Sequence, residues 1–217
     1  MSMPTNRINQ VLPGAVPGTM LVNGQQVELR DFTDTHIWDS ERIPVGTAIT
    51  AQQQLNFFSS LSHQLPGVVG IQKLGVETSM TEPSRLPGDW NAIVRNIYFG
   101  FMPPIARVDV EAILASAFLQ FVIGNQKTEV EGPAMFYPMP YGIAGPLAMF
   151  AAVPTEISEF QNGVVAKSAV PNKLPTVLPG AMQFQVRVRF DFPVTIATPT
   201  GIRLYVVMPA YISKPVF

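Results

Sequence analysis

The most regular stretch of the chain is residues 182–192, where Met182, Phe184, Val186, Val188, Phe190 and Phe192 alternate with Gln183, Gln185, Arg187, Arg189 and Asp191. A period of two sends successive side chains to opposite faces of an extended backbone, so this segment predicts a long strand with one buried face. Residues 202–208 repeat the pattern, with Ile202, Leu204, Val206 and Met208 set against Arg203, Tyr205 and Val207. Thr198-Pro199-Thr200-Gly201 lies between the two and has the composition of a turn. Together these features predict an antiparallel hairpin.

Weaker patterns extend the reading. Residues 27–32 and 38–49 predict two strands separated by the polar turn Asp34-Thr35-His36. Thr50 and Gln53 have capping-box spacing ahead of Leu55, Phe58 and Leu61, which predicts a short helix over 51–61 with a loop as the alternative. Residues 68–76 predict a strand. A stronger one is expected over 91–102, with Ile93, Ile97, Phe99 and Phe101, ended by Pro103-Pro104. Residues 108–117 read either as one or two helical turns or as a strand running into 118–123; periodicity does not separate the two, and strand is favoured from Ala115 onwards. Residues 132–145 form a loop rich in Pro, Gly, Tyr and Met, more apolar than a solvated connection requires and suited to a packed or intersubunit surface.

Twenty-one prolines and 16 glycines are spread along the whole chain, which is the punctuation of many short strands. With no internal repeat and no sharp composition shift, residues 25–217 predict one all-β domain. The expected architecture is an antiparallel β-sandwich with one or two short helices, wound as a single jelly roll because the connections are long. Residues 1–24 carry Pro4, Pro13, Gly14, Pro17 and Gly18 with little apolar periodicity and predict an extended N-terminal arm that orders against a neighbour.

Charge alters the picture. Hydrophobic residues make up 47% of the 217 but charged ones only 13%, so much of the surface is uncharged or apolar, as in a protein buried against neighbours. Fourteen basic and 15 acidic residues leave a net charge of -1, without the basic footprint that grips a phosphate backbone. There is no cysteine, which removes disulfides, thiolate nucleophiles and cysteine metal sites. The first ten residues lack the basic-then-apolar order of a secretory signal, so no export is expected. The longest apolar run, residues 143–153, contains Gly145 and Pro146 and falls far short of the ~20 residues a membrane span needs.

Candidate chemistry is sparse. His36 and His63 are the only histidines and lack the company a metal site on such a fold needs. No nucleophile-elbow or phosphate-loop motif occurs. Asp31, Asp34, Asp39 and Glu41 form the best acidic cluster and could supply oxygen ligands to a calcium ion if strand ends converged, though their spacing matches no calcium loop and a solvated turn is the plainer reading. Glu129 and Glu131, two apart, read as charges that protect an edge strand. Trp38, Trp90, Tyr137 and Tyr141 could stack on sugars but are expected in core or interface. Arg187 and Arg189 project from one face of the strongest strand, where they could receive a neighbour's carboxylates or remain solvated. No residue is assigned a catalytic, cofactor-binding or metal-binding role.

Several segments resemble the capsid-type structural proteins of tailless bacterial viruses. They are Ile37-Trp38-Asp39, Ile43-Pro44-Val45-Gly46-Thr47, Gly75-Val76-Glu77-Thr78-Ser79-Met80 and Leu86-Pro87-Gly88-Asp89-Trp90, then Phe121-Val122-Ile123-Gly124-Asn125-Gln126-Lys127, Glu131-Gly132-Pro133 and Ile202-Arg203-Leu204-Tyr205-Val206-Val207. The resemblance implies a self-assembling jelly-roll subunit of a virion shell, put together in the host cytoplasm, without catalytic activity or cofactor. Its implied partners are copies of itself, other capsid proteins and an internal membrane. Low charge and apolar loops point the same way, towards a subunit that buries its sides in symmetric contacts. The alternatives are a viral spike, decoration or receptor-binding protein, and a sugar-binding or enzymatic β-sandwich domain.

Overall fold

The computed structural model describes residues 11–13, 19–22, 25–28, 32–88, 90–102, 105–124, 127–137, 148–149, 156–157 and 176–213. Near the N-terminus β1 (Val11–Pro13), β2 (Thr19–Val22) and β3 (Gln25–Glu28) form a three-stranded antiparallel sheet. The main body follows with β4 (Phe32–Ile43), β5 (Ala48–Ile49), β6 (Gln54–Phe57), β7 (Asn91–Val94) and β8 (Tyr98–Met102). Helix α1 (Arg107–Ser116) leads directly into β9 (Ala117–Ile123), and β10 (Lys127–Pro133) ends in a 3-10 turn, Ala134–Phe136. Two short strands, β11 (Ala148–Met149) and β12 (Glu156–Ile157), pair with each other. The chain then continues through β13 (Thr176–Leu178), β14 (Phe184–Phe190), β15 (Val194–Thr195) and β16 (Ile202–Ser213).

The body is an all-β, antiparallel sandwich. One sheet runs β13-β7-β16-β4, with β8 on the same side of β16 as β7; the other runs β10-β9-β14-β6. The pairing is nested: β4 joins β16, β6 joins β14, β7 joins β13 and β9 joins β10, so each early strand lies beside a late one. Strand β16 is the spine of its sheet. All twelve of its residues pair with β4, from Ile202 opposite Ile43 to Ser213 opposite Phe32.

The alternation seen in the sequence sets the core. Phe184, Val186, Val188 and Phe190 of β14 turn inward, as do Ile202, Leu204, Val206 and Met208 of β16, and all are buried. They meet Leu119 and Phe121 of β9 and Phe99 of β8, while the Phe58 ring tilts against Phe184 at 5.5 Å between centroids. Burying each such side chain contributes about 1.5–3 kcal/mol, which is why the period of two is so strongly expressed in these strands.

Several expectations are corrected. The two alternating segments do not form a hairpin: β14 and β16 lie in different sheets, and the connection crosses between them through β15, which pairs with β5. A turn between two alternating segments suits a hairpin, yet either sheet can bury an alternating face, and pattern alone does not choose the partner. Asp34-Thr35-His36 is not a turn but part of the first half of β4, kept extended by pairing with Pro209, Ala210 and Tyr211. No helix forms over 51–61. The Thr50 N–H does donate to Gln53 Oε1 at 3.0 Å, but as a turn that feeds β6. Residues 68–76 make turns, and the 91–102 strand breaks at Arg95-Asn96-Ile97 into β7 and β8. Helix α1 resolves the ambiguity over 108–117, with strand only from Ala117. Its first turn is held because the buried Asp109 carboxylate accepts from the N–H groups of Ala197 (2.9 Å) and Thr198 (2.7 Å).

Candidate functional site

Strand β4 is the edge of its sheet and places Ile37, Asp39, Glu41 and Ile43 on its inward face. Two of those four positions are acidic, and both side chains are fully buried. Burying a carboxylate without a partner is costly, so the chain must bring cations to them. It does so with the segment 58–80, which leaves β6, wraps the free edge of β4 and adds to it: the Ser79 N–H donates to Trp38 O at 2.9 Å and Thr78 bridges Asp39. Covering the edge also removes a template for pairing with other chains.

Lys73 lies at the centre. Its ammonium donates to both oxygens of Asp39, at 3.0 and 2.9 Å, and reaches Glu41 Oε1 at 2.7 Å, with no part of its side chain exposed. The Phe58 N–H donates to Asp39 Oδ2 at 2.6 Å, and Gln64 donates to Glu41 from its backbone and its amide. His63 sits between two carboxylates, Nδ1 lying 3.3 Å from Glu41 and Nε2 lying 3.4 Å from Glu77. Glu77 in turn accepts from Arg42 Nε at 2.5 Å and from the Leu74 N–H at 2.8 Å, and Arg203 approaches it at 3.0 Å. Three carboxylates and three cations thus interlock around one imidazole.

The electrostatics differ across the cluster. Burial raises the Asp39 pKa above its ordinary value, Lys73 and the Phe58 N–H oppose that rise, and Glu41 adds to it. For Glu77 burial also acts upward but is outweighed by the Leu74 N–H, Arg42 and Arg203, so its pKa falls. Each carboxylate is committed to cations and amides, and the arrangement clamps the wrapping segment to the sheet. Among the described residues no group of three or more His, Cys, Asp or Glu is placed to hold a metal ion.

Of the acids considered from sequence, Asp39 and Glu41 come together, turned towards Lys73. Asp34 points to the outer face and pairs with Arg95 at 2.6 Å, and Asp31 lies outside the described residues. Arg95 also stacks on Tyr211 at 4.4 Å, and Arg95 and Asp34 border an open depression of about 540 Å3 with His36, Asn96 and Tyr98. His63 belongs to the clamp, while His36 lies on the outer face of β4. Glu131 and the bulge residue Glu129 lie on β10, an edge strand as expected. Trp38 is half-buried, Trp90 packs against the core, and Tyr137 is buried, its hydroxyl pKa raised by burial and by Glu131; Tyr141 lies outside the described residues. Arg189 bonds Asp191 at 3.0 Å and lies over Phe118, and Arg187 shares its outward face.

Phe192 departs from expectation most. The β14 pattern stops at Phe190, and Phe192 is 65% exposed. A second depression, about 400 Å3, opens where β4 and β8 end and β16 begins, between Pro44, Val68, Met102 and Ile202, with Arg42 and Arg203 on its walls. Sequence reasoning missed Lys73, Glu77 and this depression. Two acids two residues apart, flanked by isoleucines on an inward face, were the available signal that a buried cation had to exist.

These features define a class: an antiparallel β-sandwich whose sheet edge is closed by a buried ionic clamp. Compared with protein-family models, curated proteins and solved structures, the chain matches none of them.

Proposed function

We propose that the chain is a virion structural protein, a self-assembling shell subunit folded as a single jelly roll, with copies of itself and other shell proteins as partners. The observation that carries the reading is the set of large apolar side chains left in solvent. Val69, Leu74 and Val76 stand on the wrapping segment, Met135 and Phe136 follow β10, and Phe192 follows β14, each about half exposed or more. Exposed apolar surface on separate sides of one small domain suits a subunit with several neighbours. The nested strand pairing supports the jelly roll, since folding four antiparallel pairs over one another produces that order. The clamp fits as well, because it closes a sheet edge that would otherwise add strands from neighbouring chains at random.

Light scattering with negative-stain imaging of the full chain, over a range of protein and salt concentrations, tests this reading. Shells, sheets or large rings are the expected result. A discrete trimer would favour a spike or decoration protein, and a monomer at every concentration would overturn the proposal in favour of a sugar-binding or enzymatic domain.

A further inference from the structure

We infer that Phe192 is a preformed knob that inserts into the depression walled by Arg42 and Arg203 on a second copy of this chain, making a head-to-tail contact; the inference rests on the shell-subunit reading and gives it a specific interface.

The knob is rigid. The Phe192 N–H donates to Ser116 Oγ at 2.9 Å, the same hydroxyl donates to Phe192 O at 2.7 Å, and the Asp191 N–H donates to Ser116 O at 2.9 Å. Ser116 is itself 3% exposed, at the end of α1. With the Phe192 backbone fixed to a buried hydroxyl, the ring projects from a defined point, which removes the backbone share of the ordering cost of binding, and exposed aromatic residues of this kind dominate the energy of interfaces. Among the described residues Phe192 is one of the most exposed large apolar side chains, at 65%.

The depression has matching chemistry. Its apolar wall is Pro44, Val68, Met102 and Ile202, and Met102 is 48% exposed. A cavity of about 150 Å3 accepts a benzene ring, so about 400 Å3 leaves room for a phenyl group and its flanking backbone. Arg42 and Arg203 keep their guanidiniums at the wall because Glu77 holds both, with 37% and 22% of their side chains exposed. Guanidiniums attract the face of an aromatic ring, and the Asp191 carboxylate beside Phe192, whose exposed pair with Arg189 at 3.0 Å is worth little in water, is available to exchange onto them. Knob and depression belong to different sheets, following β14 in one case and bordering β4 and β16 in the other. One copy therefore offers both halves of the contact as distinct, non-overlapping features, which is the requirement for a heterologous interface that closes into a ring or extends through a lattice.

The test uses the full chain and the variants Phe192→Ala and Met102→Glu, both at exposed positions, with unchanged melting temperatures as the folding control. Each variant alone is expected to raise the concentration needed for assembly at least about tenfold, the loss typical of a hot-spot residue. Mixed in equal amounts they retain one intact knob and one intact depression, so sedimentation velocity should show 1:1 dimers that neither forms alone. Wild-type assembly with Phe192→Ala assembling equally well would overturn the knob while leaving the shell reading in place. Met102→Glu assembling like wild type would overturn the depression as its receptor. A wild-type chain that never associates would overturn both readings.

Discussion

Replacing Lys73 with Met tests whether the clamp is held by compensation of buried charge. The ammonium touches Asp39 and Glu41 through three contacts between 2.7 and 3.0 Å, and all three side chains are shielded completely from solvent. Methionine fills a similar volume without the charge, leaving Asp39 with the Phe58 N–H and Glu41 with Gln64 and His63. Breaking a buried pair from one side costs about 3–5 kcal/mol, a large share of the ~5–15 kcal/mol that stabilises a typical domain. For a domain of this size that corresponds to a drop of about 6–20 °C in Tm. Urea unfolding followed by tryptophan fluorescence, with the m-value compared to wild type, measures it. The deficit should also depend on pH in a defined direction. The folded-state pKa of Asp39 already lies above its ordinary value of 3.8, so its contribution to stability is complete below that value and is lost as pH rises through the folded pKa. Without Lys73 that pKa climbs further, so the variant's deficit is smallest in acid and grows towards neutrality. A loss below about 0.5 kcal/mol at neutral pH, in the range of ordinary surface substitutions, would refute the reasoning.

Glu77→Gln should lower stability by roughly 1–3 kcal/mol at neutral pH, since a charge shared by two guanidiniums is replaced by a neutral amide. Because the Glu77 pKa is lowered, its contribution is present above the ordinary value of 4.5 and is lost as pH falls through the folded pKa, so wild type and variant should converge in acid; parallel curves of unfolding free energy against pH would contradict this. Gly201→Ala should destabilise by ~1–3 kcal/mol, because the residue has φ +71° and an added Cβ would lie 2.6 Å from Ile43 O. A melting temperature within a degree or so of wild type would show that this turn has room to adjust.

The parts of the fold that could be read from sequence are those where one face is dry and the other wet. Phe184 to Phe190 and Ile202 to Met208 announce themselves by period, and both bury the expected residues. Their partners could not be read, because β16 pairs with a strand about 160 to 180 positions earlier and nothing local encodes that choice. His36 was misplaced for the same reason: polar residues on the outer face of a long strand look like a turn until the partner strand is known. Residues 58–80 are not legible in the sequence because their conformation comes from the ion pairs they make, and Lys73 and Glu77 carry no periodic signature. Phe192 belongs to the pattern of β14 by spacing, but Ser116, distant in sequence, takes its backbone out of the strand.

The nested pairing has a kinetic consequence. Every long pair except β9 with β10 joins segments far apart in the chain, so the loop-closure entropy of the sandwich is met before most of its contacts can repay it, and folding is slow for a domain of this size. By that argument the longest-range contact, β4 with β16, is expected to close late, and until it forms β4 lacks that partner while carrying two acids on the face destined for the core. Those acids, awkward in the finished protein, keep the waiting strand soluble and poor at joining its counterparts on other growing chains. Only when β16 arrives and segment 58–80 delivers Lys73 does the strand lose that protection, by which time its hydrogen bonds are taken.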